Sequence, residues 1–317
     1  MKGRSCLLIT ITVLLLFFNP TQLSAAENKK LSPVHGRVWG CSEETFREIR
    51  LSDPPLSGED IRELEKRLKE LGFNPGALDG VFDRKAAEAV MELQKINNLP
   101  ITGIVDQDTW KALGQDCEPT NNPQTPAPEG QIKIIIEKDK RLLTVYADGK
   151  PYKQYPIAIG KPNTPSPVGE WKIINKSIEW GSGFGTRWLG LNVPWGIYGI
   201  HGTNKPWSIG QAASQGCFRM YNKHVEEIYP WVKVGTPVIV IGDTNINYQG
   251  VIKYGSIGQD VVLIQQQLRN EKLLWLPADG RFGAASERAL KLYQMLCGLP
   301  VTGQVDKTLW DKMVYGL

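Results

Sequence analysis

The spacing of apolar residues divides the chain into three kinds of segment. Residues 40–117 and 255–317 carry apolar positions at three- and four-residue intervals, the mark of amphipathic helices. In the first of them Ile61, Leu64, Leu68 and Leu71 share one helical face. Ala86 to Ile96 predicts a second helix, and Asp106 stands where it would cap a third around Trp110. Asp79-Gly80 between them is a turn signal. From 132 the period falls to two: Ile132, Ile134 and Ile136 alternate with Lys133 and Ile135, and Leu142 to Tyr146 follows. Asp148-Gly149 is a hairpin turn, and Thr236 to Ile241 is a last strand rich in β-branched residues. Residues 118–131, with prolines at 119, 123, 126 and 128 and almost nothing apolar, predict an extended linker before this β segment of 132–243.

The two helical segments are copies of one another. Gly58-x-Asp60-Ile61 returns as Gly258-x-Asp260-Val261, and Leu68, Asp79-Gly80, Phe82 and Ala89 return at 268, 279–280, 282 and 289. Leu99-Pro100-Ile101-Thr102-Gly103-x-Val105-Asp106 returns as Leu299-Pro300-Val301-Thr302-Gly303-x-Val305-Asp306, and Trp110 as Trp310. Every matched pair lies 200 positions apart with no gap, so a repeated three-helix unit is predicted on either side of the β segment.

A length of 317 residues accommodates two or three domains. The share of hydrophobic residues, 41% against 22% charged, excludes disorder as the overall description. Net charge is only +4 and no basic block occurs, so nucleic acid is not an expected partner. The N-terminus reads as a signal peptide over residues 1–26: Lys2 and Arg4, an apolar run from Leu7 to Phe18, then Ser24-Ala25-Ala26 as a cleavage site. The run is shorter than the ~20 residues a spanning helix needs, so no stable membrane anchor is expected. The mature protein is placed outside the cytoplasm, with an uncleaved anchor as the alternative.

Cysteines stand at 6, 41, 117, 217 and 297. Outside the cytoplasm Cys41 and Cys117, which bracket the first helical segment, are expected to form a disulfide contributing ~4 kcal/mol on the chain-entropy model. Cys297, beside Leu292, Met295 and Leu296, reads as a buried small hydrophobe. It is the spare partner should Cys217 serve structure instead of chemistry.

The chemistry gathers between Tyr198 and Asn222. A cysteine nucleophile needs a base or a positive neighbour, and the chain has three histidines, at 35, 201 and 224. His35 lies outside the β segment and His224 opens a helical run, which leaves His201, at the end of an apolar strand, as base for Cys217. Gly216 permits a tight turn beside the sulfur, backbone N–H groups there could meet an oxyanion, and Arg219 could hold a substrate carboxylate or brace the loop through a salt bridge. Trp180, Trp188, Trp195 and Trp207 crowd this region as core packing or as a lid.

Ile-His-Gly-Thr-Asn followed by Ser-x-Gly-Cys-x-Arg-Met, with sixteen positions from His201 to Cys217, resembles the L,D-transpeptidases of bacterial cell walls, the YkuD-like catalytic domain. Thr164-Pro-Ser-Pro-Val-Gly169 and Phe184-Gly-Thr-Arg-Trp-Leu-Gly-Leu191 fit the same family. Gln215 departs from members that carry a second histidine there, so His201 is the only base this pattern offers. The helical copies resemble the small peptidoglycan-binding domain found beside many cell-wall hydrolases. The implied architecture is multidomain: a mostly-β L,D-transpeptidase domain between two three-helix peptidoglycan-binding domains.

The resemblance implies Cys217 as nucleophile and His201 as general base, with the Gly202 carbonyl orienting the imidazole and Gly216 at the oxyanion hole. Arg219, Ser214, Tyr198 and Thr203 are assigned to the substrate side. The implied reaction forms 3→3 peptidoglycan cross-links through a Cys217 thioester with loss of D-alanine. Water as acceptor would make a carboxypeptidase, and a wall-binding scaffold is the third reading. The expected partners are peptidoglycan stem peptides and glycan strands, with carbapenems as inhibitors, a monomeric protein and no metal or organic cofactor.

Overall fold

The computed structural model describes residues 39–40, 47–119, 125–178, 182–244 and 246–317; residues 1–26, which the sequence predicts to be a signal peptide, and His35, Cys41 and Trp180 lie outside them. The described residues divide into two compact units, one within 38–244 and the other within 245–317.

In the first unit a short strand β1 (Trp39–Gly40) precedes three helices, α1 (Glu59–Glu70), α2 (Arg84–Ile96) and α3 (Gln107–Gly114). Acidic Glu59 and Asp60 open α1 and basic Arg67 and Lys69 close it, matching the helix dipole at both ends. Asp83 caps α2 by accepting from the Ala86 N–H at 2.9 Å, so the helix begins two residues ahead of the predicted Ala86. Asp106 caps α3 as its sequence position predicts, accepting from the Thr109 N–H at 2.8 Å. Ile61, Leu64, Leu68, Phe82, Val90, Leu93, Val105 and Trp110 form the core of this repeat. The Leu-Pro-x-Thr-Gly-x-Val-Asp segment wraps buried Gln94, whose Oε1 accepts the N–H groups of Thr102 and Gly103, both at 2.9 Å. That accounts for Gly103 as well, since its φ is +67°.

Strands follow: β2 (Ile132–Glu137), β3 (Leu142–Ala147), β4 (Lys150–Pro156), β5 (Ile159–Gly160), β6 (Gly169–Ile178), β7 (Arg187–Leu191), β8 (Gly196–His201), β9 (Ala212–Ser214) and β10 (Phe218–Arg219), then helix α4 (Asn222–Ile228) and β11 (Pro237–Ile241). Asp148 and Gly149, at φ +46° and +77°, make the tight turn joining β3 to β4. Among the described residues the main sheet runs β1-β8-β7-β6-β11-β2-β3-β4, with β10 paired to β8 and a small parallel β5–β9 pair apart. Neighbours are antiparallel except β1 with β8, β10 with β8 and β11 with β2. Ile134, Ile136, Val145, Trp171, Ile173, Leu189, Ile200, Phe218, Val238 and Val240 are buried. Linker residues lie against the domain they precede: the Pro126 carbonyl accepts the Tyr152 hydroxyl and the Thr125 N–H donates to Glu227.

The second unit repeats the helical design in α5 (Gln259–Asn270), α6 (Ala284–Leu296) and α7 (Lys307–Trp310), the last continued by a π turn over Asp311–Tyr315. Its core is Ile252, Val261, Ile264, Leu268, Phe282, Leu290, Val305 and Trp310; all but Ile252 are 200-offset copies of core positions in the first repeat, and Ile252 bridges Val305 as Ile49 bridges Val105. Gln294 takes the part of Gln94 and accepts the Gly303 N–H at 2.8 Å. No described helix is long and apolar enough to cross a membrane.

Candidate active site

The site sits where β8 and β10 run side by side. Parallel pairing sets Phe218 against Ile200 and Arg219 against His201, so the residue entering β10, Cys217, arrives beside the end of the strand that carries His201. Residues 202–216 loop between them and return through β9.

His201 is fully buried. Its Nδ1 lies 2.5 Å from the Gly202 carbonyl oxygen. A carbonyl only accepts, so Nδ1 carries the proton in the neutral ring and Nε2 presents the basic lone pair. The ring stacks on Trp188 at a centroid distance of 5.7 Å and meets Phe184 edge-on at 5.0 Å. Phe184 and Trp188 also pack against Cys217 in one buried cluster. His201 and Cys217 therefore share one aromatic wall. Trp188 is held by the strands: it sits opposite His201 in the β7–β8 register, and its Nε1–H donates to Asn175 at 2.9 Å. Gly199 leaves room for its ring, because a Cβ there would come within 2.6 Å of it.

The sulfur of Cys217 is in a disulfide. Cys117 and Cys297 are both reduced. This overturns the expected Cys41–Cys117 bridge and also a Cys217–Cys297 pairing. Cys117 instead joins a polar cluster at the end of α3, with Sγ 3.4 Å from an Arg67 guanidinium nitrogen and 3.5 Å from Asp116 Oδ1. Burial pushes its thiol up.

The turn ahead of the sulfur is built by Ser214 and Gly216. Ser214 Oγ donates to the Cys217 carbonyl at 2.6 Å and accepts the Gly216 N–H at 3.0 Å. Gly216 adopts φ +117°, and a Cβ on it would meet the Tyr198 ring at 2.8 Å, so glycine is required there. Two expectations change. The Gly216 N–H is directed at Ser214, not toward an oxyanion, and Ser214 is a buried turn residue, not a substrate-facing one. Tyr198 is also buried, which pushes its phenol up to about 12 and keeps it neutral; it packs the turn from beneath. Thr203 is buried too, its Oγ1 accepting the Lys205 N–H at 3.0 Å.

Arg219 is buried, with a guanidinium N–H 3.3 Å from Ser208 Oγ. Its main chain pairs with Ala158 in both directions, at 2.9 and 3.0 Å. Of the two uses open to it from sequence, this geometry favours bracing. Gln215 is half-buried. His224 packs between Tyr155 and Tyr221 at 5.1 and 5.2 Å, and burial holds its imidazole below the ordinary value.

Asn222 is a site residue that pattern reading did not single out. Its Oδ1 accepts from the N–H groups of Thr186 and Thr203, both at 3.1 Å, and its Nδ2 donates to the Thr203 carbonyl at 2.9 Å. It thus ties the segment before Trp188 to the segment after His201. Gly185 and Gly202 both approach its amide so closely that a Cβ on either would collide with it. The sequence signal was present, an asparagine opening a helix in the same stretch as the dyad.

The L,D-transpeptidase catalytic domain model (YkuD) matches residues 131–240, and the peptidoglycan-binding domain model matches residues 57–113 and 257–313. The chain is 45% identical over 107 residues to the L,D-transpeptidase YkuD of Bacillus subtilis, covering 34% of this chain and 64% of that protein. It is 35% identical over 135 residues to the L,D-transpeptidase YqjB of the same organism, covering 38% of this chain and 76% of that protein. Of the solved structures, the catalytic domain of the Enterococcus faecium (E. faecium) L,D-transpeptidase aligns over 36% of this chain and 98% of its own, at 25% identity and a TM-score of 0.32. The chain spans 64% of the length of YkuD. Since the catalytic model lies across the strands that bear His201 and Cys217, and the match to YqjB takes in three-quarters of that protein, the chain belongs to the L,D-transpeptidase family.

Proposed function

We propose that the protein is an exported L,D-transpeptidase that forms 3→3 cross-links between peptidoglycan stem peptides at the cell wall. The observation that carries this reading is the enclosure of His201 and Cys217 by the same two rings, Phe184 and Trp188, with His201 Nδ1 fixed on the Gly202 carbonyl. Family membership supplies the reaction class, and the two flanking repeats supply attachment to glycan strands, raising local substrate concentration without adding a catalytic contact.

The chemistry begins from the thiol, so the disulfide at Cys217 must first be opened. A dithiol reductant does this by two exchanges: its thiolate attacks the S–S bond, two protein thiols are released, and the reductant ends as its own disulfide. His201 Nε2 then takes the Cys217 proton. The thiolate attacks the carbonyl of the third residue of a donor tetrapeptide, and the tetrahedral adduct collapses to a thioester as protonated His201 returns its proton to the departing D-alanine amine. The side-chain amine of a second stem gives its proton to His201, attacks the thioester, and regenerates the thiol. A positioned base of this kind contributes roughly 10²–10⁴-fold. Carbapenems, which present a strained acyl group to the same sulfur, are expected to acylate Cys217.

The test uses the full chain, with and without dithiothreitol, incubated with disaccharide-tetrapeptides and followed by mass spectrometry beside Cys217→Ala. A dimer that has lost alanine, formed only in reductant and only with Cys217 present, supports the reading. Tripeptide alone would replace it with a carboxypeptidase. An unreacted substrate with fully reduced protein would overturn it.

A further inference from the structure

The loop that leads from His201 to Cys217 is gripped by the first helical repeat. Trp207 packs against the repeat's core and stacks on Trp110 at 6.2 Å, and the Arg67 guanidinium lies over the Trp207 ring, 5.2 Å from its centroid. Pro206 fits against Gly114 so closely that a Cβ there would meet the proline ring at 2.5 Å. Lys205 lies 5.2 Å over the Trp110 ring. At the centre of this contact is Glu63 on α1. One of its oxygens is paired with Lys205 Nζ, and the other is 3.6 Å from Lys161 Nζ, which Glu59 also approaches at 3.6 Å. Burial alone would raise the Glu63 carboxyl, but the charges of Lys205 and Arg219, with Lys161, outweigh it and hold the group below the ordinary value.

Each cation in this cluster is tied to the dyad by the main chain. Arg219 lies two residues after Cys217 and opposite His201. The Lys161 N–H donates to the Ser214 carbonyl at 2.9 Å, on the turn that sets Cys217. Lys205 follows His201 by four residues, with its N–H on Thr203. The second repeat keeps the same core but has Gln259, Leu263 and Gln267 where the first has Glu59, Glu63 and Arg67. Only the first copy carries the charges that this contact uses.

We propose that Glu63 is a positioning residue of the acyl-transfer site: it seats Lys205 and Lys161 and balances the positive charge on the segments that flank Cys217 and His201, making the first repeat part of the catalytic apparatus as well as a wall-binding unit. The inference rests on the dyad reading above, and its test is read on the sulfur itself, independently of cross-link formation. Glu63 is faced by Lys205, Arg219 and Lys161. Around Cys217 and His201 the other charged or titratable groups placed by the described contacts are Arg219 and Tyr198.

The experiment measures the rate of Cys217 alkylation by iodoacetamide against pH, in the reduced full chain, resolved by peptide mass spectrometry so that Cys117 and Cys297 serve as internal references. Glu63→Gln removes one negative charge from the cluster carried on the segments that flank Cys217, so the acid limb should move to lower pH and the rate on that limb should rise about three- to tenfold. Lys205→Met removes one positive charge and should move the limb the other way, while Glu63→Asp should restore the wild-type profile. A role confined to holding the fold would move both variants in the same direction. Profiles that superimpose on wild type, or that shift together, overturn the proposal. Should Glu63→Gln fail to fold, the opposite shift in Lys205→Met and the restored profile in Glu63→Asp decide the matter alone. Absence of cross-linking by the reduced wild-type protein, beside an intact profile shift, would refute the transpeptidase reading and leave this one standing.

Discussion

Replacing Glu65 by glutamine should stabilise the first helical repeat at neutral pH. Glu65 is buried on α1, and its Oε2 accepts the Gly80 N–H at 2.9 Å. Burial raises its carboxyl above the ordinary value, with Asp79 and Asp83 adding to the effect against the Gly80 bond and Arg62. A folded-state value above the unfolded one contributes stability that is present below the unfolded value and lost as pH rises through the folded one. At pH 7 the carboxylate is thus a net cost. The second repeat has Gln265 at the matching position: its Oε1 takes the same bond from Gly280 at 2.8 Å, and its Nε2 reaches Asp279 Oδ1 and the Arg281 carbonyl, both at 3.1 Å, and Ser286 Oγ at 3.2 Å. The turn is the same in the first repeat, where Asp79 Oδ1 accepts the Val81 N–H at 3.0 Å just as Asp279 accepts that of Arg281 at 3.0 Å. Position 86 is alanine, so the Ser286 acceptor has no counterpart. Two new amide bonds at about 1 kcal/mol each, less about 1 kcal/mol for a weaker neutral acceptor at Gly80, plus removal of a buried charge, give a gain of about 1–2 kcal/mol. Hydrogen exchange of the core amides of α1–α3 in the full chain, compared with wild type at each pH, should slow by about 5- to 30-fold at pH 7 where these amides report opening of the repeat. The gain should shrink at pH 4, where the carboxyl is protonated. Unchanged or faster exchange at pH 7, or a gain that persists undiminished at pH 4, would refute the reasoning.

Three further outcomes follow from the site. Gly216→Ala imposes φ +117° on a residue with a Cβ and drives that carbon against Tyr198; a loss of about 2–4 kcal/mol is expected, seen as a lower thermal midpoint and slowed Cys217 alkylation. Asn222→Ala leaves the Thr186 and Thr203 N–H groups and the Thr203 carbonyl without their amide partner, costing about 2–3 kcal/mol and loosening the His201 loop, which faster exchange of the Thr203 amide would report. Glu63, whose carboxyl is held below the ordinary value, contributes stability that is present above its unfolded value and lost as pH falls through the folded one. Acidification should therefore loosen the Trp207–Trp110 stack before the helical core, and tryptophan fluorescence that changes only with global unfolding would contradict this.

What sequence reading captured were features fixed by local chemistry. The helices follow from spacing at Ile61, Leu64 and Leu68, the α3 cap from Asp106, the β3–β4 turn from Asp148-Gly149, and the offset of 200 placed the second core residue by residue. That His201 and Cys217 fall near one another was legible because both lie in one short stretch whose strands β8 and β10 pair in parallel. The misses concern direction and distance. Gly216 and Ser214 were recognised as special, but whether a glycine N–H meets a substrate or a neighbouring hydroxyl depends on backbone angles that residue type leaves open. Cys117 looked available for a bridge, yet a disulfide is decided by sulfur separation and direction in the folded chain, and its sulfur lies beside Arg67 and Asp116. The Glu63–Lys205 pair was illegible because its members are 142 positions apart, and each taken alone resembles a solvated charge on a polar surface.

The disulfide and the dyad describe two oxidation states of one pocket, and the surroundings indicate how different those states need be. A sulfur held in an S–S bond cannot attack a carbonyl, so the two functions exclude each other in time. Yet the parts that would guide the thiolate are each fixed without that bond. His201 is set by the Gly202 carbonyl and two aromatic rings, its loop by the three hydrogen bonds of Asn222, and the Cys217 turn by Ser214 and the φ of Gly216. None of these contacts passes through the sulfur. Opening the bond releases a side chain into a site whose walls are already in place, which is the preorganised arrangement that electrostatic catalysis requires. Reduction is therefore expected to switch on reactivity without remodelling the strands that carry it.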